Sequence, residues 1–205
     1  MRFMLRDVRL AFPQIWKATA PRGGGDLAFS ASFILPPDHT QIIDPTKPKK
    51  VKTAQYLEDV VFKAVAEAKW GPKAAGILKA LKAADKLALH NGDTKAEYEG
   101  YEGNLFISSR SKVRPTVFDQ QRNELSEQDG KPYSGCYVNA SVEFWAQDNP
   151  DYGKRINAQL RGVQFLRDGD AFAGGGRPAE ADEFDEIQAP EEGEEGSEDG
   201  DDLLK

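Results

Sequence analysis

The sequence is poor in residues that form covalent or metal-mediated links. It contains a single cysteine, Cys136, and two histidines, His39 and His90. One thiol cannot form an intrachain disulfide, so a reducing compartment is expected. One cysteine and two histidines also cannot supply a zinc finger or zinc ribbon. We therefore expect no cofactor and no metal, although a site made only of carboxylates stays open.

Long apolar runs are also missing. Residues 1–7 carry a charge every few positions, unlike the apolar core of a signal peptide. No stretch of about 18 apolar residues occurs, so no membrane-spanning helix is expected. These absences predict a soluble, cytoplasmic protein that has no membrane partner.

Recognisable catalytic motifs are absent as well. The glycine spacing of a phosphate-binding loop occurs at Gly71 and Gly76. Ile77 and Leu78 follow, however, where that loop requires lysine and serine or threonine. Neither a Gly-x-Ser-x-Gly elbow nor a His-Glu-x-x-His pair is present. The sequence is therefore expected not to be an enzyme.

One set of residues resembles the carboxylates and lysine of a metal-dependent nuclease, namely Asp38, Glu67 and Lys69. Such a site needs its glutamate and lysine on a strand that points toward the metal. Here both residues lie in a predicted helix, where they diverge by about 200°. A nuclease nevertheless stays as an alternative function.

Charge is distributed unevenly along the chain. Residues 179–205 contain 13 acidic residues and one basic residue, a net charge of -12. Residues 1–178 contain 26 basic and 21 acidic residues, a net charge of +5. The segment 174–205 has almost no large apolar residues, so we expect a disordered acidic tail after a folded domain at 1–173.

Alternating hydrophobicity predicts a mainly β structure for the domain. A phase slip at Arg6 and Asp7 predicts a bulge in the first strand. Gly162 predicts a bulge or a close backbone approach in the last strand. The predicted strands are 3–12, 27–35, 105–114, 137–145 and 156–166, with a short apolar stretch at 87–89. Glycines and prolines predict loops at 13–26, 38–51 and 119–135.

A helical insertion interrupts the strands at about 53–85. Leu57, Val60, Val61, Ala64, Val65 and Ala68 recur at helical spacing. Gly71-Pro72 ends that helix, and Pro72 suits the start of a second. The mixture predicts a mainly β (α+β) fold, a small curved sheet or barrel with helices at one side.

Aromatic residues lie among cations on the predicted strands and loops. Every base has a π-face, so aromatic side chains can stack single-stranded nucleic acid without reading its sequence. The predicted stacking residues are Trp16, Tyr98, Tyr101, Phe106, Tyr137, Trp145 and Tyr152. Lysine and arginine neutralise phosphates. The predicted phosphate contacts are Lys17, Arg22, Arg110, Lys112, Arg114, Lys154 and Arg155. Each residue singly is also compatible with packing or with a solvated surface charge.

The acidic tail is a second functional feature. A polyanion can occupy a basic groove and be displaced when nucleic acid arrives. The tail closes on Asp201, Asp202, Leu203 and Leu204, which favours recruitment of a protein partner through its tip. A merely solubilising tail is the alternative.

Several turns and strand edges resemble the tailed-phage single-stranded DNA-binding proteins of the Enterobacter-phage type, over most of residues 1–178. The matching segments are Leu89-His90-Asn91-Gly92-Asp93, Gly100-Tyr101-Glu102-Gly103-Asn104, Arg114-Pro115 with Asp119, Gly135-Cys136-Tyr137-Val138 and Gly162-Val163-Gln164. The tail departs from the pattern, because many such tails end in an aromatic residue. The resemblance implies an OB-fold, a five-stranded Greek-key barrel, here with additional strands and helices.

The resemblance also implies a function. Proteins of this type coat single strands in replication, recombination and repair. We therefore expect sequence-independent binding of single-stranded DNA in a host cell's cytoplasm, self-association on DNA, and replication or recombination partners bound through the tail. The alternatives are the nuclease and an acidic DNA-mimic module that binds proteins. RNA also stays open, because no residue identifies a reader of the 2′-hydroxyl.

Overall fold

The computed structural model describes residues 1–21 and 24–172 of the chain. Within these ranges the chain forms nine strands and a helical insertion. The strands are β1 (Arg2–Thr19), β2 (Ala28–Leu35), β3 (Thr40–Asp44), β4 (Lys47–Lys52), β5 (Leu89–Asn91), β6 (Leu105–Ser111), β7 (Thr116–Phe118), β8 (Tyr137–Asn149) and β9 (Gly153–Arg167). The insertion contains α1 (Thr53–Tyr56), a π-helical segment (Leu57–Phe62), α2 (Lys63–Trp70) and α3 (Ala74–Ala83).

Five strands close into a barrel. β1 pairs with β2 and with β8, β2 pairs with β6, and β8 pairs with β9, all antiparallel. A parallel pairing of β6 with β9, which includes Ser109 opposite Ala158, closes the ring. β5 and β7 extend the sheet beyond the barrel. A five-stranded Greek-key barrel of this kind is an OB-fold, so the predicted fold is confirmed.

The interior of the barrel follows from alternation along its strands. In β8 the predicted apolar face is buried, because Val138, Ala140, Val142 and Phe144 have no exposed surface. β9 turns back against β8 as the predicted hairpin. Gly162 marks a close approach, since a Cβ atom there would lie 2.9 Å from the Thr116 hydroxyl of β7.

Two irregularities shape β1. The predicted bulge is present, because the register with β8 shifts between Leu5 and Val8 and Asp7 has a φ of 51°. A second shift follows Ala11 in the pairing with β2. The loop predicted from residue 13 onward is wrong, since β1 continues to Thr19. Pro13 is tolerated because strand prolines are accommodated at bulges.

The loop predicted at 38–51 is also wrong. Residues 40–44 and 47–52 pair as β3 and β4 in a separate two-stranded sheet. Their lysines and prolines suggested a loop, but such residues are also typical of exposed edge strands. β7 was likewise missed, because three residues are too few to show alternation.

The helical insertion occurs as expected, but its buried face is shifted. Ala64 and Ala68 were predicted to face the core and are exposed, whereas Phe62 and Ala66 are buried. The π-helical segment has a wider turn than an α-helix, so it rotates the following residues relative to a 3.6-residue period. No helix among the described residues is long and apolar enough to cross a membrane.

Candidate nucleic-acid interface

A cleft of about 1210 Å³ opens at one end of the barrel. One wall comes from the loop between β1 and β2, which contributes Gly25 and Asp26. The opposite wall comes from the turn between β8 and β9, which contributes Asn149 and Tyr152. The end of β6 and the start of β9 lie between these two walls. β2 and β6 are antiparallel, so the end of β6 lies beside the start of β2, where the loop from β1 arrives. These two loops and the face of the second and third barrel strands are where OB-folds bind oligonucleotides.

Three of the predicted phosphate contacts line this cleft. Arg110 and Lys112 come from β6 and its end, and Arg155 comes from β9. All three side chains are exposed. Alternation positions Arg110, because its neighbours Ser109 and Ser111 are buried. The strands thus turn these cations outward into one concave surface.

The structure adds two lysines that the sequence reading missed. Lys69 lies near the end of α2, and Lys86 lies between α3 and β5. Both line the same cleft as Arg110, although they are far from it in sequence. No local pattern marks them, because the helical insertion is brought beside the barrel only by tertiary packing.

Asp26 contacts two cations of the cleft. The Lys112 Nζ atom lies 2.6 Å from the Asp26 Oδ2 atom, and the Arg110 guanidinium donates to the main-chain carbonyl of Asp26. The hydrogen bond from Lys112 lowers the pKa of Asp26 below its ordinary value. The carboxylate therefore stays charged at neutral pH and stands where an anionic ligand could bind.

On the opposite wall, Asp148 accepts hydrogen bonds from one lysine and one tryptophan. Lys154 donates to its carboxylate at 2.9 Å, and the Trp70 indole donates to it at 3.1 Å. The hydrogen bond from Lys154 lowers the pKa of Asp148. Asp148 lines the cleft, whereas Lys154 is held beside it through this ion pair.

Two of the predicted stacking residues present accessible rings to the cleft. Trp145 of β8 is 44% exposed, and Tyr152 in the turn is 73% exposed. Trp145 alternates with the buried Phe144, so its indole points away from the barrel interior. Val113, at 71% exposure, adds an apolar surface to the same cleft. Aromatic and apolar faces therefore lie beside the cations of β6 and β9.

Two other predicted stacking residues are packing residues, and here the sequence reading was wrong. Tyr101 has no exposed surface and Phe106 is 3% exposed. Their rings pack at 5.0 Å in a small cluster with Phe172 on the outside of β1 and β2. Glycines near Tyr101, such as Gly100 at a φ of 82°, turn this polar stretch back onto the sheet. Burial raises the pKa of the Tyr101 phenol.

Tyr98 and Tyr137 lie outside the cleft. Tyr98 is half-buried and packs edge-on against Phe12 at 5.0 Å. Tyr137 begins β8, at the end opposite Trp145, and the Arg167 guanidinium lies 3.4 Å from its ring centre. Arg9 approaches the same ring at 5.7 Å. The Tyr137 ring is thus already stacked on a cation within the protein.

Of the remaining predicted residues, Trp16, Lys17 and Arg114 lie outside the cleft. Trp16 belongs to β1, packs partly buried against the core, and has the Arg114 guanidinium 5.4 Å from its ring. Lys17 pairs with Glu127 at 3.6 Å. Arg22 and the tail, including Asp201, Asp202, Leu203 and Leu204, lie outside the described residues. Among the described residues no cluster of three or more His, Cys, Asp or Glu side chains suits a metal.

Comparison with known proteins agrees with this architecture. Residues 1–195 match the family described as Enterobacter phage Enc34, ssDNA-binding protein. The chain is 43% identical over 198 residues to putative protein p50 of Acyrthosiphon pisum secondary endosymbiont phage 1, which covers 95% of this chain and 98% of the relative.

Two solved structures are similar to the fold of this chain. The single-stranded DNA-binding protein from bacteriophage Enc34 has a TM-score of 0.62 and 26% identity, with 84% of each chain covered. The same protein in complex with ssDNA has a TM-score of 0.63 and 24% identity, covering 83% of this chain and 88% of that one. The family is defined by binding and not by a reaction, in agreement with the non-enzymatic expectation. The chain belongs to the Enterobacter phage Enc34 ssDNA-binding protein family.

Proposed function

We propose that this chain binds single-stranded DNA in the cleft, without sequence preference and without catalysis. The observation that carries the proposal is the meeting of exposed aromatic rings and exposed cations between the two barrel loops. Trp145 and Tyr152 stack bases, and Arg110, Lys112 and Arg155 neutralise phosphates. Stacking on these rings contributes about 1–3 kcal/mol per base whatever the base.

DNA entry requires an exchange of partners at the cleft. A phosphate that binds Lys112 takes the place of the Asp26 carboxylate, which is 76% exposed and can return to water. An ion pair this exposed is weak, so the exchange costs little. Gly24 and Gly25, both with positive φ, precede Asp26 in a backbone conformation that other residues rarely adopt.

In the cell, the protein would coat and protect single-stranded DNA during phage DNA replication, recombination and repair. Its copies would associate with one another along the DNA strand. The acidic segment 179–205 would compete with DNA for the basic surface of the domain and recruit replication or recombination proteins through Asp201, Asp202, Leu203 and Leu204. Support for these roles comes from the net charge of -12 and the family's binding of single-stranded DNA.

Titration of a labelled oligo-dT with the full chain tests the cleft. We expect Trp145→Ala and Tyr152→Ala each to weaken binding by about 5- to 150-fold, in line with the stacking energy per base. Phe12→Ala is the matched control, because Phe12 is also 44% exposed but lies outside the cleft. Full affinity in both cleft variants would exclude this surface.

Two further arms of the experiment separate the alternatives. Degradation of a labelled strand in Mg²⁺ would support the nuclease, and failure to retain any DNA would support the acidic DNA-mimic. An RNA strand of equal length and a duplex, both titrated under the same conditions, report the preference among nucleic acids.

A further inference from the structure

The two-stranded sheet of β3 and β4 (residues 40–52), hereafter the lysine hairpin, carries an unusual charge. Lys47, Lys49, Lys50 and Lys52 all belong to β4 and all are exposed. In the described part of the chain, none of the four forms an ion pair, whereas Lys112 in the cleft pairs with Asp26. Asp44 is the acid of these strands, and its carboxylate accepts hydrogen bonds from the Thr46 amide and hydroxyl.

The position of the lysines on β4 determines what they can contact. Side chains alternate along a strand, so Lys47 and Lys49 point to one side and Lys50 and Lys52 to the other. The hairpin contains no aromatic residue. Its chemistry therefore suits repeated phosphates and offers no ring on which a base could stack.

The lysine hairpin is held firmly on the barrel. Gln41 of β3 is 5% exposed, donates to the Met4 carbonyl at 2.9 Å and accepts from the Arg6 amide at 3.0 Å. At the same end of the hairpin, the Thr53 amide donates to the His39 carbonyl at 2.9 Å and extends the pairing of β3 with β4. The bonds of Gln41 fix the hairpin beside the bulge of β1, so its charge has a defined place.

A continuous outer face connects the hairpin to the cleft. Trp145 and Ser141 lie on the same side of β8, about 13 Å apart along the strand, and Met4 pairs opposite Ser141. Met4 is also the residue that binds Gln41 of the hairpin. Between these points, Glu143 contacts Arg161 at 2.9 Å and Arg2 at 3.8 Å. A DNA strand that leaves the cleft past Trp145 would therefore meet Arg161 and Arg2 before it reaches the lysines of the hairpin.

We propose that the lysine hairpin is a second contact site for the phosphates of single-stranded DNA, reached across the outer face of β8 and β1. The proposal rests on binding in the cleft, because the hairpin extends that path. Four lysines that form no ion pair with the described residues release counterions when phosphates bind, which makes the contribution ionic and independent of sequence.

Two other roles for the lysines predict different outcomes. Lysines on an exposed edge strand can simply prevent the pairing of one chain with another. They can also hold the acidic segment 179–205. Edge protection predicts no effect of the lysines on DNA binding, and capture of the acidic segment predicts tighter DNA binding once the lysines are removed.

The test compares two oligo-dT lengths in titrations of the full chain, about 6 and about 16 nucleotides, within the range that one OB-fold covers. The variant Lys49→Gln/Lys50→Gln removes two hairpin charges. Its matched control is Lys73→Gln/Lys79→Gln, which removes two exposed charges from the helical insertion. A fourfold variant that also carries Lys47→Gln and Lys52→Gln extends the series, and thermal unfolding checks that each variant folds.

With the longer strand, we expect the hairpin variant to lose about fourfold in affinity per lysine at physiological salt, and its salt slope to fall by about 0.7 per lysine. With the shorter strand, hairpin and control variants should bind equally. An equal loss at both lengths, no loss, or a gain overturns the proposal. Trp145→Ala with the short strand reports on the cleft alone, so failure of the cleft and failure of the hairpin are distinguishable.

Discussion

Asp26 illustrates how a single residue can neutralise part of a basic cleft. It contacts Lys112 through its side chain and Arg110 through its carbonyl, so it neutralises the surface that DNA would use. Its pKa is lowered by Lys112, and so is the pKa of Asp148 by Lys154. Both acids therefore remain charged below the pH at which an ordinary aspartate is protonated.

Asp26→Asn should tighten DNA binding. The amide carries no charge, so Lys112 is free for phosphate and the cleft becomes more positive. We expect a gain of several-fold at low salt that shrinks as salt is added, since the Debye length falls to about 8 Å at physiological ionic strength. Filter binding at two salt concentrations measures it.

Glu102→Gln is the control for Asp26→Asn, because Glu102 is exposed but does not line the cleft. A gain of the same size in this control would mean that net charge alone sets the affinity.

The lowered pKa of Asp26 also sets a pH dependence of DNA binding. Protonation of Asp26 would free Lys112, so binding should strengthen through this group only at pH values below 3.8, the ordinary pKa of an aspartate.

Cys136 should be chemically inert in the folded chain. Its thiol has no exposed surface, and burial raises its pKa to about 12. The thiolate is the reactive form, so alkylation at about pH 8 requires opening of the barrel. Mass spectrometry after iodoacetamide treatment should find one added group in denaturant and none in buffer. Rapid labelling of the native chain would contradict the buried position.

At the scale of elements, β8 and β9 form the longest pairing and carry much of the cleft. Burial alternates along β8 from Tyr137 to Trp145, and the turn that follows the strand places Tyr152 opposite the loop that carries Asp26. β7 pairs with β9 only because Gly162 has no side chain, since Thr116 lies directly against it.

Gly162→Ala should destabilise the chain. The added Cβ would lie 2.9 Å from the Thr116 hydroxyl and 3.1 Å from the Thr116 carbonyl oxygen, so β7 must shift. We expect a loss of about 1–3 kcal/mol in the free energy of unfolding, typical of overpacking. Urea unfolding measures the change.

Gly76→Ala is the matched substitution, because nothing lies within 4 Å of the position that its Cβ would take. Gly76 lies in α3, where alanine should stabilise by about 0.4–1 kcal/mol. The two changes should therefore have opposite signs. A stable Gly162→Ala chain would show that β7 moves freely on β9.

The sequence predicted those elements whose pattern is long and regular. Alternation over Val138 to Phe144 identified β8, and helical spacing identified the insertion. It failed where the structure departs from a regular period. At the π-helical segment, Phe62 is buried, whereas Ala64, which was predicted to face the core, is exposed.

The residues of the candidate site also fall into two groups, those that a local pattern predicted and those that it did not. Arg110, Lys112, Trp145, Tyr152 and Arg155, which the sequence predicted as DNA contacts, lie exposed at the cleft, because exposed strand and turn residues keep their local character. Tyr101 was misjudged and Lys69 and Lys86 were missed. Their positions depend on contacts between distant segments, which no local pattern encodes.

At the scale of the whole molecule, charge is divided between residues 1–178, with a net charge of +5, and residues 179–205, with a net charge of -12. A tethered segment reaches an effective concentration in the millimolar range near its own domain, so weak ionic contacts suffice for competition. The isoelectric point of the chain is low, about 5.0, although residues 1–178 carry a net positive charge.

A chain ending at residue 178 should bind single-stranded DNA more tightly than the full chain at low salt. The two affinities should converge as salt rises, because screening weakens the internal competition. Parallel titrations of both chains provide the measurement. Equal affinities at every salt concentration would show that the acidic segment does not reach the DNA site.

The closure of the barrel has a consequence for the synthesis of the chain. β1 begins at Arg2 but pairs with β8, where Glu143 stands opposite it. At about 5–20 residues per second, roughly 7–30 s separate the emergence of these two strands from the ribosome. During that interval one edge of β1 has no partner and is open to pairing with other chains. Because β9 is the last strand among the described residues and also lines the cleft, the cleft is complete only when the chain has been made through residue 167.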